Sequence, residues 1–157
     1  MTTSTLSYKP GNAFEELRHL NFLLVEDNTL NAKLVSVLFA QEGIGLTLAK
    51  NGQEAIEKIK MATYDLVLMD MEMPVMNGYQ ATNIIRQELN NNIPIIAMTA
   101  NQHAGEMKKC LQLGMNEYMV KPINAAVLFE TMHNLLYKHQ PVPEKQVIAK
   151  LPVYRLN

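Results

Sequence analysis

The sequence predicts an α/β fold: a doubly wound, five-stranded parallel sheet with helices on both faces. Three observations carry that expectation. Five short apolar runs alternate with amphipathic stretches along the 157 residues. Three of the runs are continuously apolar rather than alternating, which marks strands buried on both faces. Glycines follow two of the amphipathic stretches, Gly43 and Gly114, as helix stop signals. Such alternation gives right-handed crossovers and an open sheet. Five units are too few for an eight-fold barrel.

The strands are expected near 21–26, 45–49, 65–70, 94–98 and 117–120. Between them the spacing is helical. In 29–42, Leu30, Leu34, Val37 and Leu38 share a face. In 52–61, Ala55, Ile56 and Ile59 do the same. In 78–90, Ala81, Ile84, Ile85 and Leu89 line up after the turn signal Asn77-Gly78. In 104–113 the set is Met107, Cys110 and Leu111, and in 123–139 it is Leu128, Met132, Leu135 and Leu136.

The ends differ. Residues 1–20 are mixed and polar with Pro10-Gly11, and read as an N-terminal tail or linker with room for a short helical turn at Phe14–His19. Residues 21–139 form the folded domain. Residues 140–157 open with Gln140-Pro141-Val142-Pro143, which stops the last helix. They are too few for a second core and read as a C-terminal tail; Val147 to Leu156 is apolar enough to dock elsewhere.

Composition narrows the function. The net charge is −1, with no basic run, so nothing electrostatic points to nucleic acid. The single cysteine, Cys110, excludes an intrachain disulfide and fits a reducing compartment. No apolar run approaches the roughly 18 residues of a membrane span, and residues 1–20 lack the order of a signal peptide. A cytoplasmic location is therefore expected. The 11 methionines suit a core of adaptable side chains better than a cofactor site.

Polar residues end four of the apolar runs. Glu26 and Asp27 follow Phe22-Leu23-Leu24-Val25, Asp70 ends Leu66-Val67-Leu68-Met69, Thr99 follows Ile95-Ile96-Ala97-Met98, and Lys121 follows Tyr118-Met119-Val120. Ligands of open α/β sheets bind at the carboxyl ends of the strands, where strand order reverses. If the order is 2-1-3-4-5, that point lies between strands 1 and 3, and Glu26, Asp27 and Asp70 converge. Three carboxylates in one pocket must bind protons or a cation. Few hard oxygen ligands with open positions suit Mg²⁺. Beside it, Asp70 is a plausible nucleophile toward phosphorus, with Lys121 adding charge and Thr99 a hydroxyl donor.

These residues carry a resemblance. Val25-Glu26-Asp27-Asn28, Met69-Asp70-Met71-Glu72-Met73-Pro74, Asn77-Gly78, Met98-Thr99-Ala100 and Val120-Lys121-Pro122-Ile123 resemble the receiver domain of two-component response regulators, over about residues 21–139. Glu26-Asp27-Asn28-x-x-Asn31 with Met73-Pro74-x-Met76-Asn77-Gly78 looks most like receivers attached to hybrid sensor histidine kinases. The resemblance implies a (βα)5, flavodoxin-like fold of strand order 2-1-3-4-5. It implies that Asp70 accepts phosphate from a histidine kinase or histidine phosphotransfer protein. Mg²⁺ would be held by Glu26, Asp27, Asp70 and the backbone carbonyl of Glu72. Thr99 and Lys121 would contact the phosphoryl group, and Tyr118 matches the aromatic that rotates with Thr99. Ala100 matches the small residue that leaves phosphate access open. The fourth helix, fifth strand and fifth helix of the domain would then change affinity for a downstream protein, homodimer formation on phosphorylation included. Self-phosphorylation and autodephosphorylation are the activities expected, in a stand-alone receiver or a piece of a larger kinase.

Plainer readings stand beside these. Asp27, Asp70 and Thr99 alone would be helix caps, Glu26 a surface acid, and Lys121-Pro122 a loop, there a candidate cis peptide. Tyr118 alone would be a strand aromatic and Cys110 a core residue. His19, His103, His133 and His139 lack ligand spacing and read as surface residues. A haloacid-dehalogenase-type phosphohydrolase is the rival enzyme, but it needs a second Asp two residues after the nucleophile, where Glu72 stands. A pseudo-receiver used only for binding can dispense with the acids.

Overall fold

The computed structural model describes residues 11–137, with side chains from Phe14 onward. Five strands, β1 (Phe22–Val25), β2 (Leu46–Ala49), β3 (Leu66–Asp70), β4 (Ile95–Thr99) and β5 (Glu117–Val120), form one sheet in the order β2-β1-β3-β4-β5. Every pairing is parallel, with Leu24 beside Leu48 on one side and Leu68 on the other. The helices are α1 (Gly11–Leu17), α2 (Thr29–Gln41), α3 (Gly52–Met61), α4 (Gly78–Asn83), α5 (Ala104–Gln112) and α6 (Ala125–Tyr137), and α4 runs on into a π-helical turn at Ile84–Glu88.

The continuous apolar runs have the cause inferred for them. Successive side chains of a strand face opposite ways, and both faces are covered. Leu23, Val25, Val67, Met69, Ile95 and Ala97 pack against α3, α4 and α5, meeting Ala55, Ile56, Ala81, Ile85 and Cys110. Phe22, Leu24, Leu66, Leu68, Ile96 and Met98 pack against α1, α2 and α6, meeting Leu17, Phe39, Leu128, Phe129 and Met132. Helix stops occur where expected, with Gly43 and Gly114 at positive φ of 69° and 97°.

Two expectations are corrected. In α2 the expected core face points outward: Leu30, Leu34 and Val37 are 66%, 57% and 46% exposed, while Val35 and Phe39 are buried and Leu38 partly so. The helix is apolar nearly all round, so spacing alone allows two faces. Phe39 decides between them, because its ring has aromatic partners inside, Phe22 at 5.9 Å and Phe129 at 5.3 Å between centroids.

The N-terminal segment is the second correction. From Gly11 onward it is helix α1, not a free tail. Leu17 is fully buried, Phe14 meets Phe129 edge-on at 5.1 Å, and Arg18 Nε donates to the Glu42 carbonyl at 2.8 Å. Glu16 accepts from His133 at 2.6 Å, and its carbonyl accepts from the Tyr137 hydroxyl at 3.0 Å. The short helix is stable because α6 covers its apolar side, which local spacing could not foretell. Leu17→Ala is expected to cost about 2–4 kcal/mol in urea unfolding; a loss within error of zero would return this segment to a tail. The tail expected at 140–157 lies outside the described residues.

Candidate functional site

The pocket forms where β1, β3, β4 and β5 end. Strand pairing places these ends level, since Asp70 is in register with Met98 and Thr99 with Val120. Glu26, Asp70 and Thr99 are buried, and Asp27 is exposed at the rim. Carboxylate oxygens of Glu26, Asp27 and Asp70 lie within 4.8 Å of one another, and no other such group was found among the described residues. Lys121 reaches in from the end of β5. Its Nζ is 2.7 Å from Glu26 Oε2 and 3.3 Å from Asp70 Oδ1. The Lys121–Pro122 bond is cis, as expected at this turn.

Backbone amides hold the acids in place. Asn28 N–H donates to Glu26 Oε1 at 3.1 Å, and Glu72 N–H donates to Asp70 Oδ1 at 3.2 Å. The second contact brings Glu72, the expected carbonyl ligand, beside Asp70. Thr99 Oγ1 accepts from Asn101 N–H at 3.0 Å. The Tyr118 hydroxyl donates to the Asn101 carbonyl. Asn101 therefore joins Thr99 to Tyr118, a link no spacing signal announced.

The electrostatics follow from burial. Desolvation, then the charge of Glu26, push the Asp70 carboxyl up to about 7, with the Glu72 amide and Lys121 pulling back. Burial alone would lower the Lys121 ammonium, but Glu26 and Asp70 outweigh it and raise it. Burial raises the Tyr118 phenol, while a contact from Thr99 opposes the rise. Cys110 is pushed up to about 11 by burial in the core and is inert there.

The donor set fits a small, hard divalent cation. It is all oxygen, it carries more negative charge than Lys121 neutralises, and Asp27 at the rim leaves room for water. Each Glu26 oxygen already accepts one hydrogen bond and keeps a second lone pair that could face a cation.

Of the remaining expectations, Asn77 is more than a turn residue. It caps α4 in a reciprocal box with Gln80, the two contacts being 2.9 and 3.0 Å. His19 and His103 are exposed, His133 is engaged by Glu16, and His139 lies outside the described residues.

Residues 22–133 match the family model of the response regulator receiver domain. The chain belongs to this family. The receiver is 40% identical over 125 residues to hybrid signal transduction histidine kinase I of Dictyostelium discoideum, covering 74% of this chain and 7% of that protein. It is 37% identical over 123 residues to the signal transduction histidine-protein kinase BarA of Escherichia coli, covering 78% of this chain and 13% of that protein. The chain thus spans a small fraction of the curated relatives it matches, and the likeness expected to receivers of hybrid kinases is what these matches show. Among solved structures, it is 39% identical, with a TM-score of 0.66, to the receiver domain of a Pseudomonas aeruginosa sensor histidine kinase that has magnesium coordinated in its active site cleft, covering 74% of this chain and 96% of that one. It is 29% identical, with a TM-score of 0.71, to a Saccharomyces cerevisiae receiver domain co-crystallised with a histidine phosphotransfer signalling protein, covering 80% and 94%. No described helix is long and apolar enough to cross a membrane.

Proposed function

We propose that this receiver works in a phosphorelay by accepting a phosphoryl group on Asp70 from a histidine kinase or histidine phosphotransfer protein. The supporting observation is the buried Asp70 carboxylate with Lys121 Nζ at 3.3 Å, inside a cluster of acids within 4.8 Å. Glu26, Asp27, Asp70 and the Glu72 carbonyl would hold Mg²⁺, which would supply positive charge to the phosphoryl oxygens.

An Asp70 oxygen attacks phosphorus in line with the P–N bond of the donor phosphohistidine. That bond breaks as the P–O bond forms, and its electron pair leaves with the imidazole. Lys121 moves from Glu26 to the phosphoryl oxygens. Thr99 turns its hydroxyl to donate to one of them, giving up the Asn101 amide. That loosens Asn101 and with it the hold on Tyr118, so the surface of α5, β5 and α6 changes affinity for a downstream protein. Water later hydrolyses the acyl phosphate, which is the only turnover expected of the chain. All of this suits a cytoplasmic setting.

The exposed stripe Leu30, Leu34 and Val37 begins two residues past the Asn28 cap and gives the phosphodonor protein an apolar landing face beside the pocket. Leu34→Glu is expected to slow transfer from a phosphorylated histidine phosphotransfer protein about tenfold, leaving uptake from acetyl phosphate unchanged. Equal loss with both donors would assign Leu34 to the fold instead. The reading as a whole is tested by adding Mg²⁺ and beryllofluoride and following the Tyr118 ring by NMR. The ring must change environment in the wild type and stay still in Thr99→Ala; a silent wild type sinks the switch.

A further inference from the structure

The turn between β2 and α3 touches both walls of the acidic pocket. Ala49 accepts the Glu26 amide at 3.0 Å. Three residues later, Gly52 N–H donates to the Met76 carbonyl, also at 3.0 Å. Met76 lies in the segment that follows Asp70, which closes on itself: Gly78 N–H donates to the Met71 carbonyl at 3.3 Å and Met76 N–H to the Pro74 carbonyl at 2.8 Å. The last bond makes a γ-turn centred on Val75, whose φ is 68°. This is the rare, strained hand of that turn, and Val75 is β-branched, for which positive φ is an outlier. Its side chain is 81% exposed, so its own packing does not impose the conformation. Strain of this kind persists only where the surroundings over-determine it.

Gly52 is one such surrounding, through its hydrogen bond to Met76 and its close approach to it. A Cβ there would sit 2.7 Å from the Met76 carbonyl oxygen, 2.8 Å from Met76 Cγ and 3.0 Å from the Ala81 Cβ. Its φ is not left-handed, so close approach rather than conformation excludes a side chain. The nearest obstacle is a backbone atom, which cannot rotate away.

We propose that Gly52, on a helix that supplies no ligand, is a positioning residue for the phospho-acceptor site: it pins Met76 and so sets where the Glu72 carbonyl stands relative to Asp70 and how tightly Mg²⁺ binds. The proposal rests on the Mg²⁺ reading above. With a side chain at 52, the segment must shift outward, and Val75, already strained, cannot absorb the shift. Glu72 moves with it.

The test is calorimetric titration of Mg²⁺ into the full chain. Gly52→Ala is expected to weaken binding about tenfold or more, the usual effect of disturbing the support of a metal ligand. Gly45→Ala, with nothing within 4 Å of the added methyl group, must bind like wild type. Adding Val75→Gly to Gly52→Ala frees the turn to absorb the shift, so the double variant recovers most of the affinity. A merely structural glycine would not show that recovery. Phosphoryl uptake from acetyl phosphate should fall at low Mg²⁺ in Gly52→Ala and return at saturating Mg²⁺. Should Gly52→Ala not fold, the wild type still decides: its Gly52 amide resonance must shift on Mg²⁺ titration with the midpoint of Glu72. Wild-type affinity in Gly52→Ala, a double variant that regains stability without affinity, or an unmoved Gly52 amide overturns the proposal. A wild type that binds no Mg²⁺ overturns the reading of the site and this proposal with it.

Discussion

Asp70→Asn is expected to abolish phosphoryl uptake. The amide keeps the shape of the side chain and its acceptance of the Glu72 amide, so the domain should fold as before. It carries no charge and is no nucleophile, and loss of the attacking group costs at least about a thousandfold. The measurement is intact mass after incubation with acetyl phosphate and Mg²⁺. Wild type should gain one phosphoryl group and Asp70→Asn none. Asp27→Asn should separate the cation from the nucleophile, with uptake slowed about 10–100-fold and restored in part by more Mg²⁺. Labelling of Asp70→Asn at the wild-type rate would move the acceptor elsewhere and end the proposed mechanism.

Stability without a divalent cation should fall as pH rises from about 4 to about 7, and Mg²⁺ should reverse the loss. Burial first, and Glu26 second, raise Asp70 from the ordinary 3.8 to about 7. Between those values the folded chain keeps a proton that the unfolded chain has released. This contribution is therefore complete below about pH 4 and gone above about pH 7, where a buried charge beside Glu26 opposes folding. At about pH 8 in chelator, Asp70→Asn should be more stable than wild type by on the order of 2–4 kcal/mol, and the two should converge near pH 4. Mg²⁺ competes with that proton, so its affinity should drop about tenfold per pH unit below 7 and level off above it. Urea midpoints and calorimetry across this range check both. A wild type no less stable than Asp70→Asn at about pH 8 would show that Lys121 already compensates the charge.

The two effects have one origin. The sheet buries an acid beside a second acid, and on the proposed reading a cation or a phosphoryl group would relieve that cost. Lys121 is the resident substitute, paired to Glu26 at 2.7 Å. A site that is under-neutralised at rest is one that ligands can stabilise, and this makes its chemistry readable as stability.

Strand order came only with the family resemblance; the strand-length apolar runs, the two buried faces and the four strand ends were legible along the chain. Each depends on a short-range pattern: apolar runs long enough for a strand, a polar residue at the end, a helix-length return. Residues whose meaning depends on distant partners were not legible. Leu30, Leu34 and Val37 have core spacing yet face solvent, because Phe39 found Phe22 and Phe129. Residues 11–20 look like a linker until Leu17 and Phe14 meet α6. Asn101 and Gly52 carry no pattern, since one makes its contacts through its backbone amide and carbonyl and the other is set apart only by the absence of a side chain.

By itself the sequence determined the α/β order, the parallel sheet and which polar residues end its strands, because period and chain order are local properties. Only the tertiary structure decided that Lys121 bridges Glu26 and Asp70, that burial raises the Asp70 carboxyl and that Gly52 N–H bonds the Met76 carbonyl. Those depend on distances between segments far apart in the chain, and dielectric and contact exist only once the chain has closed around them.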